Sequence, residues 1–559
     1  MEKDKNLNKK YAPIIRKSKE WPVVLLSKNR KAFLEQVTEE SFQKIKNLRS
    51  SKSALIEELE TTLYRERLRV KRNPWKVDPK DEKKFWDNIK TRLVNVANDD
   101  DDDEDKILRD IIARYAGEIS GNFKPSRYRV TRELVKFGFG RLLNASRLKT
   151  VSGLFRNKYS LQDKIQITGE VEQLRSLASK GTVILVPTHF SNLDSILIGW
   201  IIHILGLPPF IYGAGLNLFN IRIIAYFMNS LGAYKVDRRK KNLAYIETLK
   251  TYSKLALQQG AHSLFFPGGT RSRSGKIESQ LKLGLLGSAM EAQRSLYANG
   301  NNETEGKIYI VPVTINYNYV LEAPVLINEY LKRKGQERYY VENDHLSTSY
   351  KIVKFLFKFF AKGSDIAISI GGAMDILGNK VDTDGHSQDT QGRKINTRDY
   401  FITEGEVTGN KQRETEYTRM LSKAIVKEYH KINRVFASHL VAFVAYQILR
   451  KRHEKLDLYN FLRIPEEDLT IEYEYFKKEV ERIRKEIFTL EIKGELTTAP
   501  HLHEDLDRMI KSGINNVGMY HDKRPLLKSR RRGLIITQNI NTLYFYHNRM
   551  EGYDLEKHF

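Results

Sequence analysis

TVILVPTHFSNLDSILIGWII, residues 182–202, is the stretch that decides the fold. Thr182–Val186 is a β-rich apolar run closed by Pro187; the polar turn THFSN follows, and an apolar helical stretch begins directly after it. A short buried strand, a turn and an apolar helix in this order form half of a strand–helix–strand unit. Working outward, the same alternation runs from about 163 to 375. The further strand candidates are Ala233–Val236, Ser263–Phe266, Ile308–Val313 and Ile366–Ile370, separated by helical stretches that include Leu243–Gln259 and Leu281–Ala298. The pattern predicts an α/β fold: a mixed sheet flanked by helices, with helical N- and C-terminal extensions. The predicted division is 1–130, 131–400 and 401–559, with a lesser boundary around Thr497–Pro500.

The composition bounds the chemistry. The chain has 559 residues, no cysteine, and 95 Lys and Arg against 69 Asp and Glu, a net charge of +26. Without cysteine there is no disulfide, no thiolate metal site and no cysteine nucleophile. The basic excess points to nucleic acid, an anionic membrane or anionic substrates, and composition does not choose among them. The N-terminal 21 residues are charged and have no apolar core, so they do not read as a secretory signal. Ile196–Tyr212, the longest apolar stretch, carries His203 and the pair Pro208-Pro209 and is short for a spanning helix. It reads as a buried helix ending at the prolines, with a re-entrant segment as the alternative. The acidic run Asp99–Asp105 reads as a solvated loop.

Three turns carry candidate chemistry, and each follows a strand, where open α/β sheets form their sites. His189 and Asp194 form a His-x4-Asp pair at the start of a helix. An aspartate in that position can fix one imidazole nitrogen and leave the other free to take a proton. The same spelling also fits a helix-capping turn with an incidental histidine. Asp237-Arg238-Arg239-Lys240-Lys241 follows the strand at 233–236. Pro267-Gly268-Gly269-Thr270-Arg271-Ser272-Arg273-Ser274-Gly275-Lys276 follows the strand at 263–266 and reads as a glycine-rich turn entering a helix. Such turns cradle anions through backbone N–H groups and guanidinium forks; a solvated loop is the alternative for either alone. The second is not a Walker loop, because Thr270 and Ile277 stand where glycine and Ser/Thr are required. DTDG at 382–385 is not a calcium loop, since positions six and twelve are Ser387 and Arg393. A histidine base beside a phosphate cradle suggests direct transfer to a hydroxyl of a phosphorylated small molecule, and without a G-x-S-x-G elbow a covalent acyl-enzyme is disfavoured.

Four blocks in order over about 130 residues resemble the glycerolipid acyltransferase family. HFSNLD at 189–194 is similar to its H-x4-D block, GAYKVDRR at 232–239 to its second, FPGGTRSRSG at 266–275 to its third, and IVPVTINYNYVLE at 310–322 to its fourth. A looser similarity runs from Phe137 to about Leu449. The resemblance implies that His189 is the general base and Asp194 its partner. It places phosphate binding on Arg238, Gly268, Gly269, Thr270 and Arg271, with Arg273 or Lys276 as helpers, and gives Pro312 the acyl-donor side. One departure stands out: Gly268 occupies the third-block position where the family has glutamate. Altered acceptor preference is the expectation there and lost activity the alternative.

The resemblance further implies transfer of an acyl group from acyl-CoA or acyl-carrier protein, a co-substrate rather than a cofactor, with no metal. Chain length favours glycerol 3-phosphate as acceptor; 1-acylglycerol 3-phosphate (lysophosphatidate) is the alternative. A lipid product implies a place on the cytoplasmic side of a membrane, peripheral or monotopic, against an anionic surface. Lys351, Lys354, Lys358 and Lys362 make one helical stripe among phenylalanines, as in an interfacial helix or a core helix with one wet edge. Lys528–Arg532 is a second basic patch. No nucleic-acid module is legible, so nucleic acid is not expected as a partner.

Overall fold

The computed structural model describes residues 11–97, 103–133, 165–216, 228, 232–300, 306–335, 366–529 and 533–559. The looser similarity beginning at Phe137 starts outside these residues, as does the whole lysine stripe at 351–362.

The N-terminal region is helical, as expected: α1 (Pro22–Lys28), α2 (Arg30–Leu48), α3 (Lys52–Arg72), α4 (Glu82–Ala97) and α5 (Glu104–Ile119). The end of the acidic run is not loop. Asp103 caps α5 by accepting the Asp105 N–H, and Glu104 and Asp105 lie in the first turn, where the helix dipole favours negative charge.

Among the described residues seven strands form the central sheet: β1 (Ile165–Gly169), β2 (Thr182–Pro187), β3 (Ile211–Gly215), β4 (Ala233–Val236), β5 (Ser263–Leu264), β6 (Ile308–Tyr317) and β7 (Ile366–Ile370). Their order is β1-β7-β6-β2-β5-β3-β4. The five from β2 to β6 run the same way, β7 is antiparallel to β6, and β1 is parallel to β7. This is the mixed α/β sheet read from the sequence. Two of its strands are not legible there. IQITG of β1 lies at an edge and alternates polar with apolar; IYGAG of β3 follows two prolines and carries two glycines.

Alternation along β2 sends neighbouring side chains to opposite layers. Val183 and Leu185 pack with Leu174 and Leu177 of α6 (Val171–Lys180) and with Leu197 and Ile201 of α7 (Asp194–Ile204). Ile184 and Val186 pack with Leu257 of α8 (Leu243–Gln258), Leu286 and Met290 of α9 (Leu283–Ala298), and Leu421 and Ile425 of α10 (Lys411–Ile432). The N-terminal helices close over α8: Phe42, Ile111 and Tyr115 share a core with Tyr234, Tyr245, Tyr252 and Leu255.

The apolar stretch at 196–212 is a buried helix and then a strand. Its helix, α7, does not run to the prolines. It stops at Ile204, where Gly206 takes a positive φ of 67°. There Gly206 N bonds to His203 O at 3.0 Å and Leu207 N to Ile202 O at 3.0 Å, a Schellman stop that needs the glycine. Among the described residues no helix is long and apolar enough to cross a membrane.

The C-terminal region is mainly helical, including α11 (Ala437–Arg452) and α12 (Ile540–His547), with short strands added. Thr470–Glu472, Leu534–Ile536 and Leu527–Lys528 form a small antiparallel sheet. Thr497–Thr498, read as a boundary, instead pairs in parallel with Arg434–Val435, because Leu496, Ala499 and Leu502 around it are buried in the main core.

Candidate active site

β2, β3, β4 and β5 are parallel, so the turns that leave β2, β4 and β5 emerge along one sheet edge. His189 leaves the middle of that edge. The chain turns sharply after Thr188, whose N–H goes to Val313 O and whose hydroxyl accepts Ile315 N–H. Helix α7 begins at Asp194 itself, slightly later than the sequence suggests.

This late start places the aspartate under the turn. Asp194 Oδ2 lies 2.8 Å from His189 Nδ1 and also accepts the N–H groups of Phe190 at 2.7 Å and Ser191 at 2.9 Å. The other oxygen, Oδ1, accepts the Tyr317 hydroxyl at 2.5 Å. Asp194 is fully buried, whereas the His189 side chain keeps 17% of its surface. A carboxylate that accepts from four donors is fixed in place, and it orients the imidazole with Nδ1 inward and Nε2 available. The capping alternative is therefore too weak: the carboxylate does tie the turn, but it also engages the ring. Phe266, from the third block, stacks on the imidazole at 4.1 Å between centroids.

Two residues of the fourth block, one on β6 and one in the turn after it, complete this arrangement, and neither stands out in the sequence. Burial and the Asp194 charge push the Tyr317 hydroxyl pKa well above its usual value, which keeps it a donor. Glu322, also buried, accepts Asn192 N–H at 3.0 Å, Ser191 Oγ–H at 3.2 Å and Arg271 Nη1–H at 3.3 Å. It therefore ties the first block to the third. Pro312, expected on the acyl-donor side, lies within the central sheet. It is a buried residue of β6, paired with Val186, and its carbonyl accepts Gly371 N–H.

The glycine-rich turn does not enter a helix directly. The next helix, α9, begins only at Leu283, and residues 271–282 form a loop folded back under His189. Ser272 N donates to His189 O at 2.7 Å, and Gly269, with φ 77°, closes a tight turn by donating to Phe266 O at 2.9 Å. Thr270 Oγ1 accepts from Arg273 Nη1 at 3.3 Å, Arg273 Nε reaches Glu329 at 3.3 Å, and Lys276 pairs with Glu551. The predicted anion-binding cations of this turn thus meet carboxylates of this chain, because the segments after β6 and α12 bring acids to the same edge.

The turn after β4 is used differently from the sequence reading. Arg239 forks onto Asp78 and Asp237 and lies 3.9 Å over the Trp75 ring. Lys240, buried, pairs with Glu118 at 2.5 Å beside Glu66 and Glu82. Both cations dock the N-terminal helices onto the sheet. Arg238 remains exposed. It leaves the same edge as His189 but three strand spacings away, roughly 14 Å at about 4.8 Å per strand.

The C-terminal segment braces the centre from behind. Arg549 stacks 4.0 Å over Phe190 and donates to Asn316 Oδ1 and Ile315 O at 3.0 Å each. Burial lowers its pKa to about 10. Asn548 Nδ2 donates to Ser274 O at 2.7 Å, and Gly275, φ 85°, packs so close to the Phe545 carbonyl that a Cβ would sit 2.1 Å from it. No local pattern points from residues 540–551 to the first block; only the packing does.

Residues 168–316 match the family model described as Acyltransferase, a span that holds the first three blocks and the start of the fourth. Dihydroxyacetone phosphate acyltransferase of Homo sapiens is 28% identical over 187 residues, 33% of this chain and 26% of that protein. Glycerol-3-phosphate acyltransferase of Pseudomonas aeruginosa (strain UCBPP-PA14) is 26% identical over 246 residues, 43% of this chain and 26% of that protein. These residues form an acyltransferase domain, and over them the chain is similar to glycerolipid acyltransferases. The chain spans about a quarter of the length of these curated relatives. Within the matched span lie β2 to β5, β6 up to Asn316, and the His189–Asp194 pair; Tyr317, Glu322 and the bracing residues Asn548 and Arg549 lie outside it.

Proposed function

We propose that the protein transfers a fatty acyl group from a thioester, acyl-CoA or acyl-carrier protein, to the hydroxyl of glycerol 3-phosphate, with His189 as general base. The 2.8 Å contact between His189 Nδ1 and the buried, four-donor Asp194 carries this reading. His189 Nε2 takes the acceptor hydroxyl proton as the oxygen attacks the thioester carbonyl. The tetrahedral intermediate then collapses, the C–S bond breaks, and the imidazolium returns its proton to the departing thiolate. Asp194 stabilises the imidazolium between the two steps. No protein thiol, metal or cofactor takes part.

Dihydroxyacetone phosphate is the second acceptor reading, supported by the name of a relative. It shares the phosphate and a primary hydroxyl on three carbons, so the same histidine base would serve. The working surface is proposed to be an anionic membrane, in keeping with the charge of +26, with the protein peripheral or monotopic on the cytoplasmic side. Flotation with anionic and neutral vesicles tests that placement, and equal recovery with both would refute it. Activity is tested with purified protein, each thioester donor, and radiolabelled glycerol 3-phosphate, dihydroxyacetone phosphate or lysophosphatidate. Ester formation lost in His189→Ala is the expected result; undiminished activity in that variant rules out the base.

A further inference from the structure

Gly268, the position where the third block departs from the family spelling, is not next to empty space. A Cβ built there would lie 2.9 Å from Glu278 Cγ and 3.2 Å from Glu278 Oε1. A side chain at 268 and the present position of Glu278 therefore exclude each other. Glu278 lies ten positions further along, in the loop folded back under His189. Its Oε1 accepts the His189 N–H at 3.0 Å. The residue as a whole keeps some solvent exposure, but its Oε2 is buried and has no hydrogen-bond partner among the described residues. Burial raises its pKa to about 7, with Arg549 the favourable charge nearby and Asp194 the unfavourable one. A carboxylate set this way costs free energy that an apolar side chain would not. It also sits against the backbone of the very residue whose ring position matters most.

We propose that Glu278 is a positioning residue of the acyltransferase centre, that its carboxylate reaches the His189 backbone through the gap left at Gly268, and that the two residues act as one coupled unit. The carboxylate missing from position 268 is thus returned from a different point on the chain. With Oε1 on the His189 N–H, Ser272 N on the His189 carbonyl and Asp194 on the ring, the histidine is fixed at backbone and side chain. This inference rests on the acyl-transfer reading.

A double-mutant cycle tests it, with two readouts: kcat and KM for glycerol 3-phosphate, and the rate of His189 carbethoxylation by diethylpyrocarbonate, followed by peptide mass spectrometry. Glu278→Ala leaves the His189 N–H without its acceptor and is expected to lower kcat about ten- to a hundredfold with acceptor KM within about threefold. Glu278→Gln keeps an acceptor oxygen and is expected to retain more activity. Gly268→Ala is expected to lower kcat in the wild-type background, by displacing Glu278, but by less than about twofold when Glu278 is already alanine. The exchange Gly268→Glu with Glu278→Gly is expected to recover activity to within about tenfold of wild type, which a merely structural contact would not do. Additive effects of the two alanine substitutions, or a Glu278→Ala enzyme with wild-type kcat, overturn the proposal. A wild-type protein that acylates no acceptor refutes the acyl-transfer reading alone, because the same coupling, present or absent, is then read from the carbethoxylation rates.

Discussion

The titration of Glu278 makes a quantitative demand on stability. Its carboxyl is raised from the ordinary 4.5 to about 7, first by burial and secondarily by Asp194, against the pull of the His189 N–H and Arg549. The folded state therefore holds this proton more tightly than the unfolded chain does. For an acid whose folded pKa is raised, the contribution to stability is complete below pH 4.5 and declines as pH rises to about 7. Between pH 5 and pH 8 the two titration curves diverge by at most about 2.5 kcal/mol, taking 1.36 kcal/mol per unit. Glu278→Gln has no proton to lose there and should gain that amount relative to wild type over the same interval. Arg549, with its pKa near 10, stays charged throughout and does not add to the slope. Urea denaturation of both proteins at half-unit steps from pH 5 to pH 8 measures it as a difference, so any constant effect of the amide cancels. A flat difference would mean that Glu278 ionises at its ordinary value, and one that falls with pH that the fold holds it below that value; either refutes the raised titration.

Two further outcomes follow from the centre and from the N-terminal dock. Asp194→Asn replaces a four-fold acceptor with a group that must present an N–H₂ to one of its donors, and kcat is expected to fall about a thousandfold or more with the acceptor KM little changed. A smaller loss than tenfold would remove Asp194 from the mechanism. Lys240→Ala leaves Glu66, Glu82 and Glu118 short of a buried cation and should cost about 3–5 kcal/mol, whereas alanine at exposed Arg238 should cost under about 0.5 kcal/mol. Thermal unfolding of the pair checks this, and equal midpoints would contradict the docking role.

The parts of the fold legible in the sequence are those with a local period. β2, β6 and β7 are long apolar runs, and α8 and α9 are found within a few residues of their observed ends. β1 and β3 escape because neither is a continuous apolar run: β1 alternates polar with apolar over only five residues, and β3 carries two glycines. The end of α7 escapes for a different reason: proline is the louder stop, yet Gly206 acts first, since it alone can take the positive φ that closes the helix. Charge was the least informative feature. The run at 237–241 reads as a phosphate cradle, but Arg239 and Lys240 answer acids on α3, α4 and α5 and in the turn around Asp78.

The sequence by itself determined the strand–turn–helix unit and put His189 and Asp194 across one short turn; a capping turn with an incidental histidine fitted the same spelling, and the 2.8 Å ring contact decided between them. It did not determine what makes that pair a rigid centre. Tyr317 comes from β6, Glu322 from the turn beyond it, Glu278 from a loop after the third block, and Arg549 from near the chain's end. Each answers the hydrogen-bond or charge demand of a buried group, and such a demand specifies an atom within about 3 Å but no position along the chain. Which residue meets it is decided only when the layers pack. Glycine at 268 shows the difference most plainly: in the sequence it is a missing carboxylate, and in the structure it is the space that Glu278 fills.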